Sequence, residues 1–287
     1  MKNIYAHFTS GFGNNLFQYN FSRLFSHIFD LNIVLVANKS IIKNLECLGL
    51  HHDCYSPISN NVKQINDSNA YKMLHEKLVR PRDYVSKGYF EDYRLYTNHI
   101  DIINSWYPKI DNINNDLVFH LRMGDRLFYK NSYYPGMKVD PDQYIKAIES
   151  FDYNRLHIVT DMPYWGKISE NSLSGMKFHM GGKGGSNIPK SNRINNLSTA
   201  VEYYNSVFSA LDQFNPIVRV GNSVVDDFLF MRSFSNILFQ HGTLGWWSAI
   251  LSNAKKVGVY GLWRPDKKNN KNLAGVPFDH WFKWGCC

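Results

Sequence analysis

Phe8-Thr9-Ser10-Gly11-Phe12-Gly13-Asn14-Asn15-Leu16-Phe17-Gln18-Tyr19 joins two different periodicities. Before it, Asn3 to Phe8 is a short apolar run of strand length; after it, Phe17, Phe21, Leu24, Phe25 and Ile28 recur at the spacing of one helix face. A second apolar run, Asn32 to Ala37, comes next, so the chain opens as strand, tight glycine turn, amphipathic helix and strand. Gly11 and Gly13 supply the first two glycines of a dinucleotide-binding turn. Leu16 occupies the third position, however, and the second strand ends at Ala37-Asn38 with no acid to hold a ribose, which argues against NAD. Two readings of the turn remain: a helix N-terminus whose backbone N–H groups receive an anionic or hydroxyl-bearing ligand, or a turn with a structural role only.

With 287 residues, 44% hydrophobic and 15% aromatic, the chain can bury a large core and suits one large or two modest domains. Its 32 Lys and Arg against 24 Asp and Glu give a net charge of +8, which favours a nucleotide, a phosphorylated lipid or an acidic membrane. The cations do not form clustered stripes, and the aromatics lie in patterned core segments, so no nucleic-acid partner is expected. The four cysteines, Cys47, Cys54, Cys286 and Cys287, form no CxxC repeat that would suggest zinc and point to a reducing compartment. No apolar run approaches the roughly 20 residues that span a bilayer, and the residues after Met1 lack the charged-then-apolar layout of a signal peptide. A cytoplasmic location is expected, either free or peripheral at the cytoplasmic membrane face. Trp284-Gly285-Cys286-Cys287 reads as an exposed tail or, in a eukaryotic host, as a lipidation signal.

Strand-like and helix-like segments alternate to the end of the chain. Leu117 to Arg122 and Leu156 to Asp161 read as strands. Between them, Asp140-Pro141-Asp142-Gln143 places a capping aspartate, a first-turn proline and a Gln three residues after the cap ahead of Tyr144, Ile145 and Ile148, which predicts a helix start. Asn236 to Phe239 and Lys256 to Tyr260 add two strands with an apolar helix, Leu244 to Leu251, between them. Gly181-Gly182-Lys183-Gly184-Gly185-Ser186 reads as a mobile loop. The pattern breaks near residues 105 to 116, at Tyr107-Pro108 and the polar run Asp111 to Asp116. The expectation is an α/β protein of two Rossmann-like domains, 1–112 and 113–287, facing a central ligand cleft, with a C-terminal tail that packs back on the first domain.

His120-Leu121-Arg122-Met123-Gly124-Asp125 stands where a strand ends, the place at which open α/β sheets bind ligands. At a period of two, His120 and Arg122 share a face. Gly124 lets the backbone turn, and Asp125 either orients Arg122 or caps the next turn of the chain. An arginine held in this way offers a planar fork of donors to a diphosphate; a structural Arg–Asp ion pair is the alternative. Further on, Gln240-His241-Gly242-Thr243-Leu244-Gly245 joins a strand to a helix and repeats the anion-cradling geometry of the opening turn, with the Thr243 hydroxyl as a donor to phosphate. Trp246 and Trp247 read as core rather than base-stacking residues. Asp226 either recognises a base or ribose or caps a helix from Asp227 to Ser233.

Taken in this order, the three clusters resemble the inverting fucosyltransferases that carry an H-x-R-x-G-D motif, most closely the α-1,2-fucosyltransferases and more distantly the α-1,6- and protein O-fucosyltransferases. Gly11-Phe12-Gly13-Asn14-Asn15 with Phe17-Gln18-Tyr19 is similar to their G-x-G-N-Q-x-F-Q-Y opening, and Gly88-Tyr89-Phe90 to a G-Y-F/W segment in the same half. His120 to Asp125 matches H-x-R-x-G-D without gaps, and Asp142-Gln143-Tyr144-Ile145-Lys146-Ala147-Ile148 resembles the D-Y-Y-x-K-A-I helix after it. Asp226 to Met231 and Thr243-Leu244-Gly245-Trp246-Trp247 resemble the D-x-x-L-M and N-S-T/S-F-S-W-W signatures. The resemblance covers most of the chain, although residues 163 to 222 match little.

That resemblance implies a GT-B-like fold, with an acceptor-binding N-terminal half and a C-terminal half for the sugar nucleotide, and inverting transfer of fucose from GDP-fucose to a glycan hydroxyl. It implies that Arg122 holds the β-phosphate, that Gly11, Phe12, Gly13 and Asn14 face the reacting sugar and diphosphate, and that His120, Asp161, Asp226, His241, Gly242, Thr243 and Leu244 line the donor site. Arg122, Asp125 and Asn14 are the expected catalytic residues; Glu91, Asp92 and Asp125 are the candidate general bases. No D-x-D metal signature stands at a strand end, so Arg122 is expected to replace a metal ion, with no cofactor beyond the donor. The expected partners are the nucleotide sugar, an oligosaccharide or glycan acceptor and a peripheral membrane contact. Asn15 replaces the usual glutamine, His241 and Gly242 an Asn-Ser pair, and Gly245 the last serine, all expected on the donor-facing wall. These departures leave open another GDP-sugar or a UDP-pentose such as UDP-xylose, and a nucleotide-binding module without catalysis is the remaining class.

Overall fold

The computed structural model describes residues 2–9, 11–50, 61–76, 80–128, 138–180, 183–186, 197–240, 242–260 and 277–285. They form an α/β protein with two parallel sheets, one of four strands and one of six. The chain divides into two compact units, with Lys109 closing one stretch and Ile110 opening the next.

In the first unit, β1 (Lys2–His7), α1 (Phe12–Phe29) and β2 (Leu31–Val36) make the opening βαβ element that the periodicity predicts; α2 (Lys39–Cys47), β3 (Lys63–Ile65), α3 (Ala70–His75), β4 (Tyr84–Ser86) and α4 (Ile100–Asn104) come after it. The strands are parallel in the order β2-β1-β4-β3. Helix α1 ends at Asp30, whose left-handed backbone (φ 52°) turns the chain into β2. Leu16, Phe17, Phe21, Leu24 and Phe25 are fully buried, as their helical spacing requires. Polar residues of α1 are buried as well, each with a partner: Asn20 Oδ1 accepts from the Tyr107 hydroxyl and the Ser22 hydroxyl meets that of Ser86.

The second unit contains β5 (Asn114–Leu121), α5 (Pro141–Glu149), β6 (Leu156–Thr160), α6 (Glu170–Gly175), β7 (Phe178–Met180), β8 (Lys183–Ser186), α7 (Leu197–Asp212), β9 (Ile217–Arg219), α8 (Val224–Arg232), β10 (Phe234–Phe239), α9 (Thr243–Ile250), β11 (Lys256–Tyr260) and β12 (Trp281–Trp284). Its main sheet is parallel in the order β12-β11-β10-β5-β6-β9. Alternation along β5 separates two faces. Leu117, Phe119 and Leu121 share a core with Tyr144 and Ile148 of α5, Leu173 of α6 and Tyr204 and Val207 of α7. The opposite face carries α8 and α9: His157 meets Phe230 and Phe234 edge-on, and Trp246 packs against Trp281. Trp246 and Trp247 are both buried, as expected of core residues.

Local signals hold where they are strong. The Asp140 side chain accepts the Asp142 N–H at the start of α5, as its capping pattern predicts. Three expectations need correction. Lys183–Ser186, expected in a mobile loop, pairs antiparallel with β7, while Gly181 and Gly182 lie outside the described residues. Helix α8 starts at Val224 rather than Asp227, because the Ser223 hydroxyl caps it. Trp284, expected in an exposed tail, is buried in β12, where its indole packs edge-on against Tyr260 and Phe119 and donates to the Phe239 carbonyl. Cys54, Cys286 and Cys287 lie outside the described residues, and no helix among those described is long and apolar enough to cross a membrane.

Candidate functional site

The chain reverses direction across the second sheet between β5 and β10. From β5 it moves outward through β6 to β9, and from β10 outward through β11 to β12. The carboxyl ends of β5 and β10 therefore bracket the crevice at which parallel α/β sheets bind ligands. His120 and Arg122 stand at the end of β5, and Gly242 to Leu244 come after β10. A Cβ added to Gly242 would lie 3.7 Å from His120 Cε1 and 3.9 Å from Arg122 Cδ, so both side chains lie on one side of the strand, as the period of two predicts.

Asp161, one residue past β6, completes the group. Its Oδ1 accepts the backbone N–H groups of Met123 and Gly124, each at 2.8 Å, and its Oδ2 lies 3.8 Å from Arg122 Nε. One carboxylate thus holds both the turn after β5 and the guanidinium that the turn carries. Its approach also explains Gly124: a Cβ there would lie 2.6 Å from Asp161 Oδ2. The sequence leaves Asp125 either to orient Arg122 or to cap the next turn, and it does not single out Asp161, which lies beside the guanidinium. Asp125 begins a short 3-10 turn, Asp125–Phe128, and its side chain lies outside the described residues.

His120 is buried under the first turn of α9. Desolvation, reinforced by the positive charge of Arg122, pushes its pKa down to about 3, so the imidazole is neutral near pH 7. The cationic charge of this pair therefore comes from Arg122. Helix α9 starts after Gly242 with no side-chain cap and no acid in its first turn. Its dipole and first-turn N–H groups, which no preceding helix carbonyl can accept from, favour an anion at this end. Thr243 and Leu244 are partly exposed there. Gly245 is not: a Cβ would lie 2.9 Å from both His120 Nδ1 and Phe239 Cβ, so this glycine lets the helix ride close over the histidine.

The reversal in the first sheet falls between β1 and β4. Gln18 ties together the loops after these strands. Its Nε2 donates to Thr9 Oγ1 and to the Gly88 carbonyl, each at 3.0 Å, while its Oε1 accepts from the Thr9 N–H and from Asn15 Nδ2. Asn15 also donates to the Thr9 carbonyl. This brings the opening turn and the Gly88-Tyr89-Phe90 segment together. Gly11 and Asn14 are partly exposed, whereas Phe12 and Gly13 are buried. Beside them, Asp67 accepts the N–H groups of Tyr89 and Phe90, and Phe90 adopts a left-handed backbone (φ 55°) while its ring stacks on Phe21.

Several expected site residues turn out to be framework. Asn15 is 2% exposed and bonded to the Thr9 loop, and Gly245, within α9, is packed against His120 and Phe239, so neither lies on an open donor-facing wall. Asp226 is exposed in the first turn of α8, accepting a hydrogen bond from the Ser223 hydroxyl while its own N–H donates to the same oxygen. Asp92 caps a short 3-10 turn and is held by the Arg94 guanidinium through contacts of 2.5–3.1 Å; Glu91 is partly exposed. His241 lies outside the described residues. Gln18 and Asp67 escaped the sequence reading as positioning residues. A glutamine inside an apolar helix face was the available signal for Gln18; Asp67 has no local signature. Among the described residues, no three His, Cys, Asp or Glu side chains converge as a metal-ligand set.

Comparison of the sequence with models of known protein families finds no match, and a search of curated proteins finds none. The likeness to the fucosyltransferases therefore rests on the motifs themselves.

Proposed function

We propose that this protein is a metal-independent inverting glycosyltransferase with a GT-B-like fold, transferring fucose from GDP-fucose to a glycan hydroxyl. The observation that carries the reading is the group at the β5–β10 reversal: Arg122 beside Asp161, a neutral His120 and the first turn of α9. That set suits a diphosphate, since it combines one oriented guanidinium with backbone donors at a helix N-terminus. In this reading the acceptor oxygen attacks C1 of the donor sugar while the bond from C1 to the diphosphate oxygen breaks. The electron pair leaves with the diphosphate, Arg122 and α9 neutralise the charge that develops, and C1 inverts. The acceptor's proton passes to a general base.

The test is a panel of GDP-, UDP- and dTDP-sugars in metal-free buffer, with binding and slow hydrolysis scored for the parent protein and Arg122→Ala. The expected result is a GDP-fucose response whose turnover falls at least about 100-fold in the variant. A response to UDP-xylose or another GDP-sugar keeps the scaffold and the role of Arg122 but moves the donor. Binding without hydrolysis or transfer to any glycan marks a non-catalytic nucleotide module. Unchanged turnover in Arg122→Ala overturns the proposal.

A further inference from the structure

The loop after β6 carries an aromatic ring that the fold holds in solvent. Tyr164 is 49% exposed, the most exposed large apolar or aromatic residue among those described. It stands three residues after Asp161, so its Cα lies within about 11 Å of the Asp161 Cα even if the chain between them is fully extended. The ring therefore belongs to the carboxyl edge of the second sheet, on the β6 side of the crevice that Arg122 and Asp161 occupy.

The loop is braced from two sides. Tyr204 on α7 donates its hydroxyl proton to the Tyr164 carbonyl at 3.0 Å and accepts the Gly166 N–H at 3.4 Å. Asn205 accepts the Ile168 N–H and donates to the Ile168 carbonyl, at 3.0 and 2.9 Å. Between these anchors, Trp165 packs edge-on against Tyr204 and Phe208. Gly166 has φ +149°, and a Cβ there would lie 2.4 Å from the Tyr164 hydroxyl oxygen and 2.7 Å from the ring carbon Cε1. The ring is thus laid over Gly166, with nearly half of the residue's surface left to water. The bracing seats Trp165 against the core and at the same time fixes the Tyr164 ring at the surface, where its exposed half is open to a ligand.

We infer that Tyr164 is a stacking platform for the nucleobase of the nucleoside diphosphate whose phosphates meet Arg122 and the first turn of α9. This rests on the nucleotide-sugar reading given above. Ring and phosphate cradle belong to the same unit and to the same sheet edge, with Asp161 joining the β6 loop to the β5 turn. Stacking on one aromatic face tolerates any base, so Tyr164 contributes affinity, and the choice between guanine and uracil falls to other groups.

The test compares parent protein, Tyr164→Ala and Tyr164→Phe by calorimetry with GDP, UDP and inorganic pyrophosphate. The expected result is nucleoside diphosphate affinity about tenfold weaker in Tyr164→Ala and retained in Tyr164→Phe, with pyrophosphate binding unchanged in both. Nucleoside diphosphate affinity in Tyr164→Ala within twofold of the parent overturns the inference and leaves the proposed function standing. An equal loss of pyrophosphate binding also overturns it, since the residue would then act through the phosphate cradle. A parent protein that binds neither GDP nor UDP overturns the inference together with the functional reading. Thermal unfolding of all three proteins separates loss of the ring from loss of the fold.

Discussion

His120 shows how one side chain's surroundings set its chemistry. Its pKa of about 3 in the folded protein lies below the unfolded value of 6.5, through burial first and Arg122 second. Between these values the unfolded chain binds a proton that the native state does not. The stability that neutral His120 allows is therefore complete above pH 6.5 and is lost progressively as the pH falls toward 3, by at most about 1.4 kcal/mol per pH unit. Thermal unfolding monitored from pH 7.5 to 4.5 should show a steeper acid loss in the parent than in His120→Gln; parallel curves would contradict this. Asp226 poses a different question, since its sequence position suits either base recognition or capping. Neither role is the one found: Ser223 is the cap, and Asp226 is its first-turn partner, bonded to the capping hydroxyl through both N–H and carboxylate. Ser223→Ala and Asp226→Ala should each lower stability by up to about 1 kcal/mol. In calorimetry both should bind GDP as the parent does, and a large loss of affinity in Asp226→Ala would restore the ligand role.

At the scale of elements, the site at the β5–β10 reversal depends on how closely α9 approaches β5. Gly245→Ser, which would restore the residue of the resembling motif, places an atom 2.9 Å from His120 Nδ1 and from Phe239 Cβ. It should destabilise the protein by about 1–3 kcal/mol in chemical denaturation. Gly242→Ala makes only ordinary contacts, 3.7 and 3.9 Å, with an extended backbone, and should leave stability nearly unchanged. Equal effects of the two would refute the packing argument. In the first unit, Gln18 connects the loops after β1 and β4 through one amide. Gln18→Ala leaves the Thr9 N–H and the Gly88 carbonyl without this partner, and a loss of about 1–3 kcal/mol is expected on the same measurement.

At the scale of the whole molecule, each unit has its own sheet, and each sheet reverses at a point where loop residues gather. If the nucleotide is held as proposed, GDP should slow hydrogen exchange at the ends of β5, β6 and β10 and in the first turn of α9, while the central strands of the first sheet keep their rates. Protection confined to the first unit would reverse the assignment. Much of the architecture is legible in the chain itself, because helix periodicity, strand runs, the Asp140 cap and the break near residue 110 are encoded by neighbouring residues. Helix α7 carries the same kind of signal: Ala200, Tyr204, Val207 and Leu211 recur at helical steps and line its buried face. The sequence alone also singled out Arg122 at a strand end and the glycine turns. Tertiary structure alone decided that Asp161 holds the Arg122 turn, that Gln18 locks Thr9 to Gly88 and that Tyr164 stands outside the core. Those contacts join residues 37 and 38 positions apart across β5 and β6, 70 apart across the first sheet and 40 apart between Tyr164 and Tyr204. Hydrogen bonds between such distant residues leave no local periodicity, and only the packed chain brings their partners within reach.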